Sequence, residues 1–149
     1  MHAINVSVFA KEYENVAMIE QALRALVPLD FEQEKLKVVV QEAEGFEGII
    51  RILSIHLLKP AHTNKVVEFL QEQLTQEQKE LLEEQAESRL DKELNYFVRF
   101  DKDFWVAARK LELTDSGNCF HYKFVLAAYP KKREIALPLA KSLLTQKNI

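Results

Sequence analysis

One segment, residues 93–126, restricts the fold of this 149-residue chain more than any other. It is rich in aromatic side chains and contains the only Trp and the only Cys of the sequence. Apolar and polar residues alternate along residues 94–100, 104–113 and 119–126. Alternation with a period of two is typical of half-buried strands, because successive side chains leave opposite faces of a sheet. The segment therefore predicts three strands of an antiparallel sheet.

Residues 114–118, with the sequence Thr-Asp-Ser-Gly-Asn, lie between the last two predicted strands. Asp, Asn and Gly are typical of tight hairpin turns, so this stretch predicts a hairpin. One face of the hairpin would be apolar and the other would be basic. Depending on a strand register that the sequence leaves open, the basic face would carry Arg99, Lys110, His121 and Lys123.

The rest of the chain predicts the remaining elements of an α+β fold. Strands are predicted at residues 3–10, 36–42 and 49–58, with Asn5 and Ser7 on the outer face of the first. Helices are predicted at residues 14–27, 63–74, 75–90 and 131–145, and Thr75 with Gln78 has the form of a capping box. The order is β-α-β-β-α-α-β-β-β-α. It predicts a single domain over residues 1–149, with a mostly antiparallel sheet and helices packed on one face.

Composition excludes several classes of protein. A hydrophobic fraction of 48% with 29% charged residues is ordinary for a globular domain. No apolar run approaches the length of a membrane span, so no membrane partner is expected. The single Cys119 cannot form an intrachain disulfide and fits a reducing compartment. Together with the absence of an apolar leader at the start, this favours a cytoplasmic location.

The charge of the chain is unevenly distributed. Residues 1–90 contain nine basic and sixteen acidic side chains, whereas residues 91–149 contain eleven and seven. Such asymmetry can indicate a surface that binds a polyanion. It can equally arise from a solvated acidic helix opposite an ordinary sheet, and the charges alone leave both interpretations open.

The sequence gives little support for catalysis. Asp101 and Asp103 could act as a base or as magnesium ligands, but a turn in which they bind local backbone amides is favoured. A second carboxylate cluster and a glycine-rich phosphate loop are both missing from the sequence. The histidines, at positions 2, 56, 62 and 121, do not have the spacing of a metal site. We therefore expect no enzyme activity, no catalytic residues, no metal and no cofactor.

Several motifs together resemble a known family. They are residues 1–9 (MHAINVSVF), the Glu44-Gly45 turn, residues 74–82 (LTQEQKELL), residues 96–102 (YFVRFDK) and residues 109–113 (RKLEL). In this order, over roughly residues 1–127, the chain is similar to an archaeal RNA-binding family described as a candidate exosome subunit. That family's fold is related to ribosomal protein L5. One departure is the sequence FEGII at residues 46–50, where relatives have a His-Gly-Asn-Pro type of sequence.

The resemblance implies a non-enzymatic RNA-binding protein, an accessory of RNA processing or of the exosome. The cations would contact mainly phosphate, so sequence preference would be weak and affinity would fall steeply with salt. An alternative is a protein-interaction module without RNA affinity, which would use an exposed apolar surface or the acidic helix at residues 77–87. The residues predicted to bind RNA are Arg51, Arg99, Lys102, Arg109, Lys110, His121 and Lys123.

Overall fold

The computed structural model describes residues 1–45 and 48–145. Within these residues, five strands form one antiparallel sheet with the order β2-β3-β1-β5-β4. The prediction of an α+β fold with an antiparallel sheet is confirmed. The strands are β1 (Ala3–Lys11), β2 (Val39–Gly45), β3 (Gly48–Leu57), β4 (Asn95–Asp101) and β5 (Cys119–Val125). The helices are α1 (Val16–Arg24), α2 (Pro60–Gln73), α3 (Gln76–Glu84), α4 (Lys102–Ala108) and α5 (Arg133–Leu143).

The chain divides into two compact units. The first comprises residues 1–4, 57–98 and, as far as the structure describes it, the chain from residue 123. The second comprises residues 99–122 and the described part of residues 5–56. The prediction that residues 1–149 form a single domain stays a prediction. No helix in the described ranges has the length and apolar character that crossing a bilayer requires.

In the first unit, hydrogen bonds fix the start of α3 and the start of α5. Thr75 caps α3, since its Oγ1 accepts a hydrogen bond from the Gln78 amide at 3.1 Å. The Gln78 side chain accepts one in return from the Thr75 amide at 2.9 Å, which confirms the predicted capping box. Arg133, at the start of α5, donates to the carbonyl of Glu87 at 2.6 Å. The predicted last helix is present as α5, and Pro138 lies inside it.

In the second unit, burial alternates along the strands and defines two faces of the sheet. Val6 and Val8 of β1, Leu53 and Ile55 of β3, and Phe120 of β5 are buried. Tyr122 lies on the same buried face, where its hydroxyl donates to the carbonyl of Leu26 at 3.2 Å. The intervening side chains are half-buried or exposed, apart from Cys119. We call their surface the open face, and it carries Asn5, Ser7, Phe9, Ser54, His56, Arg99, Cys119 and His121.

The strand predicted at residues 104–113 is wrong. Residues 102–108 form α4, and irregular chain follows it apart from one isolated bridge between Leu113 and Phe100. The helix starts because the Asp101 carboxylate accepts a hydrogen bond from the Phe104 amide at 3.0 Å, as an N-cap does. It is held against α1 by Trp105, whose indole N–H donates to the carbonyl of Ala22 at 2.7 Å. One local N-cap and one tertiary contact therefore override a local pattern that alternates with a period of two.

The remaining strands differ from prediction only at their ends. The strand predicted at residues 36–42 is β2, which begins at Val39 and pairs with β3 in a register that places Glu42 opposite Arg51. All its described residues are exposed, and β2 lies at an edge of the sheet. In the turn from Glu44 to Gly48, where the sequence departs from the resembled family, Phe46 and Glu47 lie outside the described residues.

Candidate nucleic-acid interface

A cleft on the open face of the second unit gathers cationic, aromatic and small side chains. Its lining residues come from β1, β4, β5 and the loop before β5, and its volume is about 220 Å³. Arg99 is exposed on β4, and His121 is half-buried on β5. They place a guanidinium group and an imidazole ring in the same cleft as an aromatic side chain. The lining residues are Ser7, Val8, Phe9, Arg99, Gly117, Cys119 and His121.

Phe9 provides the aromatic surface of this cleft. Its strand β1 lies in the middle of the sheet, yet 54% of the side chain is exposed. Isolated exposed apolar residues are common, but one that lines a cleft beside a guanidinium group has the chemistry of a stacking platform for a nucleobase. Asn5 and Ser7 precede it on the same face of the strand.

The backbone of Phe9 is fixed by a buried lysine. The Nζ atom of Lys102 donates to the carbonyl oxygen of Phe9 at 2.8 Å and lies 2.9 Å from Oε1 of Glu14. Lys102 is only 4% exposed. Burial raises the pKa of the Glu14 carboxyl, but hydrogen bonds from Lys102 and the Lys11 amide, with the charges of both lysines, leave that pKa lowered overall. The ionised pair is therefore the stable form at neutral pH.

The loop at residues 114–118 forms one wall of the cleft and is held by hydrogen bonds. Arg99 donates from Nη1 to the carbonyl of Asp115 at 3.2 Å. The Ser116 hydroxyl accepts from the amide of Asn118 at 3.1 Å, and the Asn118 side chain donates to Asp103 at 3.1 Å. Arg99 thus holds the loop with one N–H while its guanidinium group, which has five donors, remains exposed.

Cys119 lies at the base of the cleft and is buried. Burial raises the pKa of its thiol, and the neighbouring charges of Arg99 and Lys102 offset part of that increase. The group is therefore a neutral thiol at physiological pH, with little nucleophilic character. Its contribution to the cleft is a small apolar side chain.

A polar row continues across β1 and β3. Nδ1 of His56 lies 2.8 Å from Oδ1 of Asn5, and its Nε2 lies 3.2 Å from Oγ of Ser54. Because Oδ1 can only accept, Nδ1 of His56 donates the hydrogen bond to Asn5. Ser54, His56 and Asn5 thus follow one another in the order of a nucleophile, a base and the group that orients the base. However, β3 is paired on both sides, so the backbone N–H groups around Ser54 lie in the sheet and not above it, where an oxyanion would need them.

The structure separates the residues predicted to bind RNA into two sets. Arg99 and His121 lie together on the open face and line the cleft. Lys123 lies two residues beyond His121 on β5 and is half-buried, within the first unit. Whether these three side chains contact RNA stays a prediction.

The other four predicted residues do not lie on the open face. Arg51 lies on the same face of β3 as buried Leu53, opposite the open face, and pairs with Glu42 at 3.3 Å. Lys102 is buried in its ion pair. Arg109 caps α4 with a left-handed φ of 52°, and its Nη1 donates to the carbonyl of Trp105 at 2.8 Å. Lys110 is exposed in the irregular chain after α4, so the expectation that it shares a strand face with His121 is wrong.

Sequence reasoning missed Phe9, Ser54 and His56 as members of the same surface. For Phe9 the signal was available, because the alternation that places Asn5 and Ser7 outward continues to the next odd position. Ser54 and His56 likewise alternate with Leu53 and Ile55. What the sequence did not show is that β1 lies between β3 and β5. That order places all three residues on one face of the sheet with Arg99 and brings Phe9 into the same cleft.

Comparison with solved structures supports the fold. Protein AF2318 from Archaeoglobus fulgidus has a TM-score of 0.84 at 25% identity, covering 95% of this chain and 98% of that chain. Mth689 from Methanothermobacter thermautotrophicus has a TM-score of 0.75 at 25% identity, covering 96% and 97%. Both likenesses extend over nearly the whole length of the chains compared.

Sequence comparison identifies the family. A curated relative, the RNA-binding protein PAB1135 of Pyrococcus abyssi (strain GE5 / Orsay), is 24% identical over 144 residues, which are 96% of this chain and 93% of that protein. A family model described as RNA binding matches residues 3–126, which include all five strands and the cleft. The chain therefore belongs to the protein family described as RNA binding.

Proposed function

We propose that this protein binds RNA on the open face of the second unit and does not catalyse a reaction on it. The observation that carries the proposal is the cleft that the exposed Phe9 lines together with Arg99 and His121. A guanidinium group can neutralise phosphate, and an aromatic ring can stack on a base. Membership of an RNA-binding family and the name of the curated relative support the same conclusion.

The proposed contacts predict how binding depends on salt. An Arg99–phosphate contact releases counterions from the RNA, so log affinity falls linearly with log salt concentration. For single-stranded RNA each such contact contributes about 0.7 to the slope. A protein that uses few cations should therefore show a shallow but measurable slope, together with weak sequence preference.

Fluorescence anisotropy with a labelled 12-nucleotide RNA at several salt concentrations tests this proposal. We expect Arg99→Gln to weaken binding and to reduce the slope by about 0.7. Lys65→Gln is the matched control, since Lys65 is an exposed cation on α2, in the first unit. Absence of RNA binding by the unmodified protein, or equal effects of the two substitutions, would contradict the proposed site.

The double variant Lys110→Ala/Lys123→Ala tests the predicted cations that do not line the cleft. Lys110 is exposed and Lys123 is half-buried. Reduced affinity with an unchanged melting temperature would extend the binding surface to them. Unchanged affinity, with Arg99→Gln still impaired, would confine RNA to the cleft.

A role as an accessory of RNA processing is the finer form of the proposal, and it rests on the family resemblance alone. The cytoplasmic location is proposed from the single Cys119, which fits a reducing compartment. Co-elution with a reconstituted archaeal exosome, with and without RNA, would test the association. Incubation of the purified protein with RNA and divalent metal would test the absence of catalysis. RNA cleavage that is lost in Asp101→Ala would overturn the non-enzymatic assignment.

The competing function, a protein-interaction module, is favoured by one surface of the first unit. Exposed carboxylates from Glu80, Glu83, Glu84 and Glu87 lie around Lys141 of α5. This surface repels RNA, so it would serve a basic protein partner. The salt titration separates the two functions, because protein binding at the acidic surface would not respond to Arg99→Gln.

A further inference from the structure

We infer that the cleft holds a single unpaired base, stacked on Phe9, so that the protein selects single-stranded RNA over duplex RNA. This inference rests on the proposed function and adds the class of RNA to it. The observation behind it is that an exposed phenyl ring lines a cleft whose other lining residues are mostly small or cationic.

The ring of Phe9 can be reached from solvent. Ser7 lies two residues before it on the same face, and the neighbouring Cys119 and Gly117 are also small. A Cβ atom added at Gly117 would meet no other heavy atom within 4 Å, so the space beside the loop is open. A flat group can therefore approach the ring without displacing a side chain of these residues.

The platform is held in place before RNA arrives. Lys102 holds the carbonyl of Phe9 at 2.8 Å, and Arg99 holds the carbonyl of Asp115 in the loop wall at 3.2 Å. A site whose backbone is already fixed loses less conformational entropy on binding. This favours a stacking contact that would otherwise be offset by ordering of the loop.

The size of the cleft suits one ring system. Its volume of about 220 Å³ is below the roughly 300–1,000 Å³ of pockets that enclose a whole small-molecule ligand. Arg99 can contact the adjoining phosphate, while the Ser7 hydroxyl and the His121 ring offer polar groups at the edge of a base. The lining therefore fits a nucleotide within a strand better than a free apolar ligand.

Base pairing prevents this contact. In an A-form duplex both faces of each base are covered by neighbouring bases, so a ring fixed in a sheet cannot reach them without unstacking. Contacts from Arg99 to phosphate would remain possible. We therefore expect residual, salt-sensitive binding of duplex RNA and tighter binding of the single strand.

The experiment uses a 12-nucleotide RNA with one 2-aminopurine, both as a single strand and annealed to its complement. Fluorescence of 2-aminopurine falls when the base stacks, so it reports the contact separately from affinity. Phe9→Leu should weaken single-strand binding about 5- to 150-fold, the range for loss of one base–aromatic stack. Quenching on the protein should be lost as well. Phe9→Tyr should retain both, since it keeps the ring.

Phe104→Leu is the matched control. Phe104 is 53% exposed, almost the same as Phe9, but it lies on α4 and does not line the cleft. Melting temperatures of all three variants show whether each is folded. Unchanged binding and quenching in Phe9→Leu, with RNA still bound in a salt-dependent manner, would overturn the stacking inference and leave the proposed function intact. Absence of RNA binding by the unmodified protein would instead overturn the proposed function.

Discussion

The contact between Lys102 and Glu14 gives the sharpest test of the structure. Lys102→Met keeps a long side chain but removes the ammonium group. The carbonyl of Phe9 and the carboxylate of Glu14 then lose the donor that lies 2.8 Å and 2.9 Å from them. Lys102 is 4% exposed, so water cannot replace the ammonium group without a local rearrangement.

The expected loss of stability follows from the burial of the two partners. Breaking a fully buried ion pair costs about 3–5 kcal/mol, because one charge is left without its partner. The side chain of Glu14 is 22% exposed, so its carboxylate can be partly hydrated in the variant. We therefore expect the free energy of unfolding to fall by roughly 2–4 kcal/mol. That is a large share of the roughly 5–15 kcal/mol that stabilises a typical domain.

Urea unfolding followed by the fluorescence of Trp105 measures this loss. Trp105 is the only Trp, and it is buried in the same unit as Lys102. Lys110→Met is the control, since Lys110 is exposed eight residues later. In a double-mutant cycle with Glu14→Gln, the double variant should lose less than the sum of the single losses, because the unpaired carboxylate has been removed. Losses below about 0.5 kcal/mol in Lys102→Met, the range of ordinary surface substitutions, would refute the buried pair.

The pH dependence of stability provides a second test of the ion pair between Lys102 and Glu14. The pKa of Glu14 is lower in the folded protein than its ordinary value of 4.5. A carboxyl with a depressed pKa contributes stability above that ordinary value and loses it as the pH falls through the folded pKa. We expect unfolding free energy to decline from about pH 5 downward. Glu14→Gln should make the decline shallower, and an unchanged profile would contradict the assigned shift.

Three further substitutions test local features of the fold by thermal melting. Gly48→Ala should destabilise the protein by about 1–2 kcal/mol, since Gly48 has a φ of 114° and its added Cβ would meet the carboxylate of Glu12. Gly117→Ala is the control and should change stability little, because a Cβ added there meets open space. Thr75→Ala removes the cap of α3 and should cost about 1 kcal/mol, whereas Thr75→Ser should not. Tyr122→Phe removes the hydrogen bond to Leu26 and should cost about 1 kcal/mol. Equal stability of the parent and Gly48→Ala, Thr75→Ala or Tyr122→Phe would refute the corresponding structural feature.

Local patterns predicted the elements whose stability is local. The alternation in β1 follows directly from the period of a strand, and the capping box of α3 is encoded within four residues. The α4 segment was assigned to a strand because its alternation also has a period of two. Its helical signal was Asp101 as N-cap, and its stability comes from the contact of Trp105 with Ala22, which is distant in sequence. Such a contact cannot be derived from a window of ten residues.

The candidate site was predicted only in part for a related reason. Charge and sequence position identify a cation, but its partner decides whether it is available to a ligand. Arg99 and His121 lie on the open face because β4 and β5 alternate as predicted. Arg51 and Lys102 were predicted to meet phosphate, yet each has a carboxylate partner within the chain. Pairing of this kind depends on the strand order and on α4, neither of which the sequence showed.

Lys102→Met distinguishes a phosphate-binding role of Lys102 from a role in positioning Phe9. If it contacted phosphate, as the sequence suggested, Lys102→Met would reduce the salt slope of RNA binding by about 0.7. The structure instead places its ammonium group on the carbonyl of Phe9, so the substitution should act through the position of the ring. We expect weaker binding of single-stranded RNA and weaker quenching of 2-aminopurine, with the salt slope unchanged. The measurement is made under conditions where Trp105 fluorescence shows that the variant is fully folded. A reduced salt slope with normal quenching would mean that Lys102 contacts phosphate.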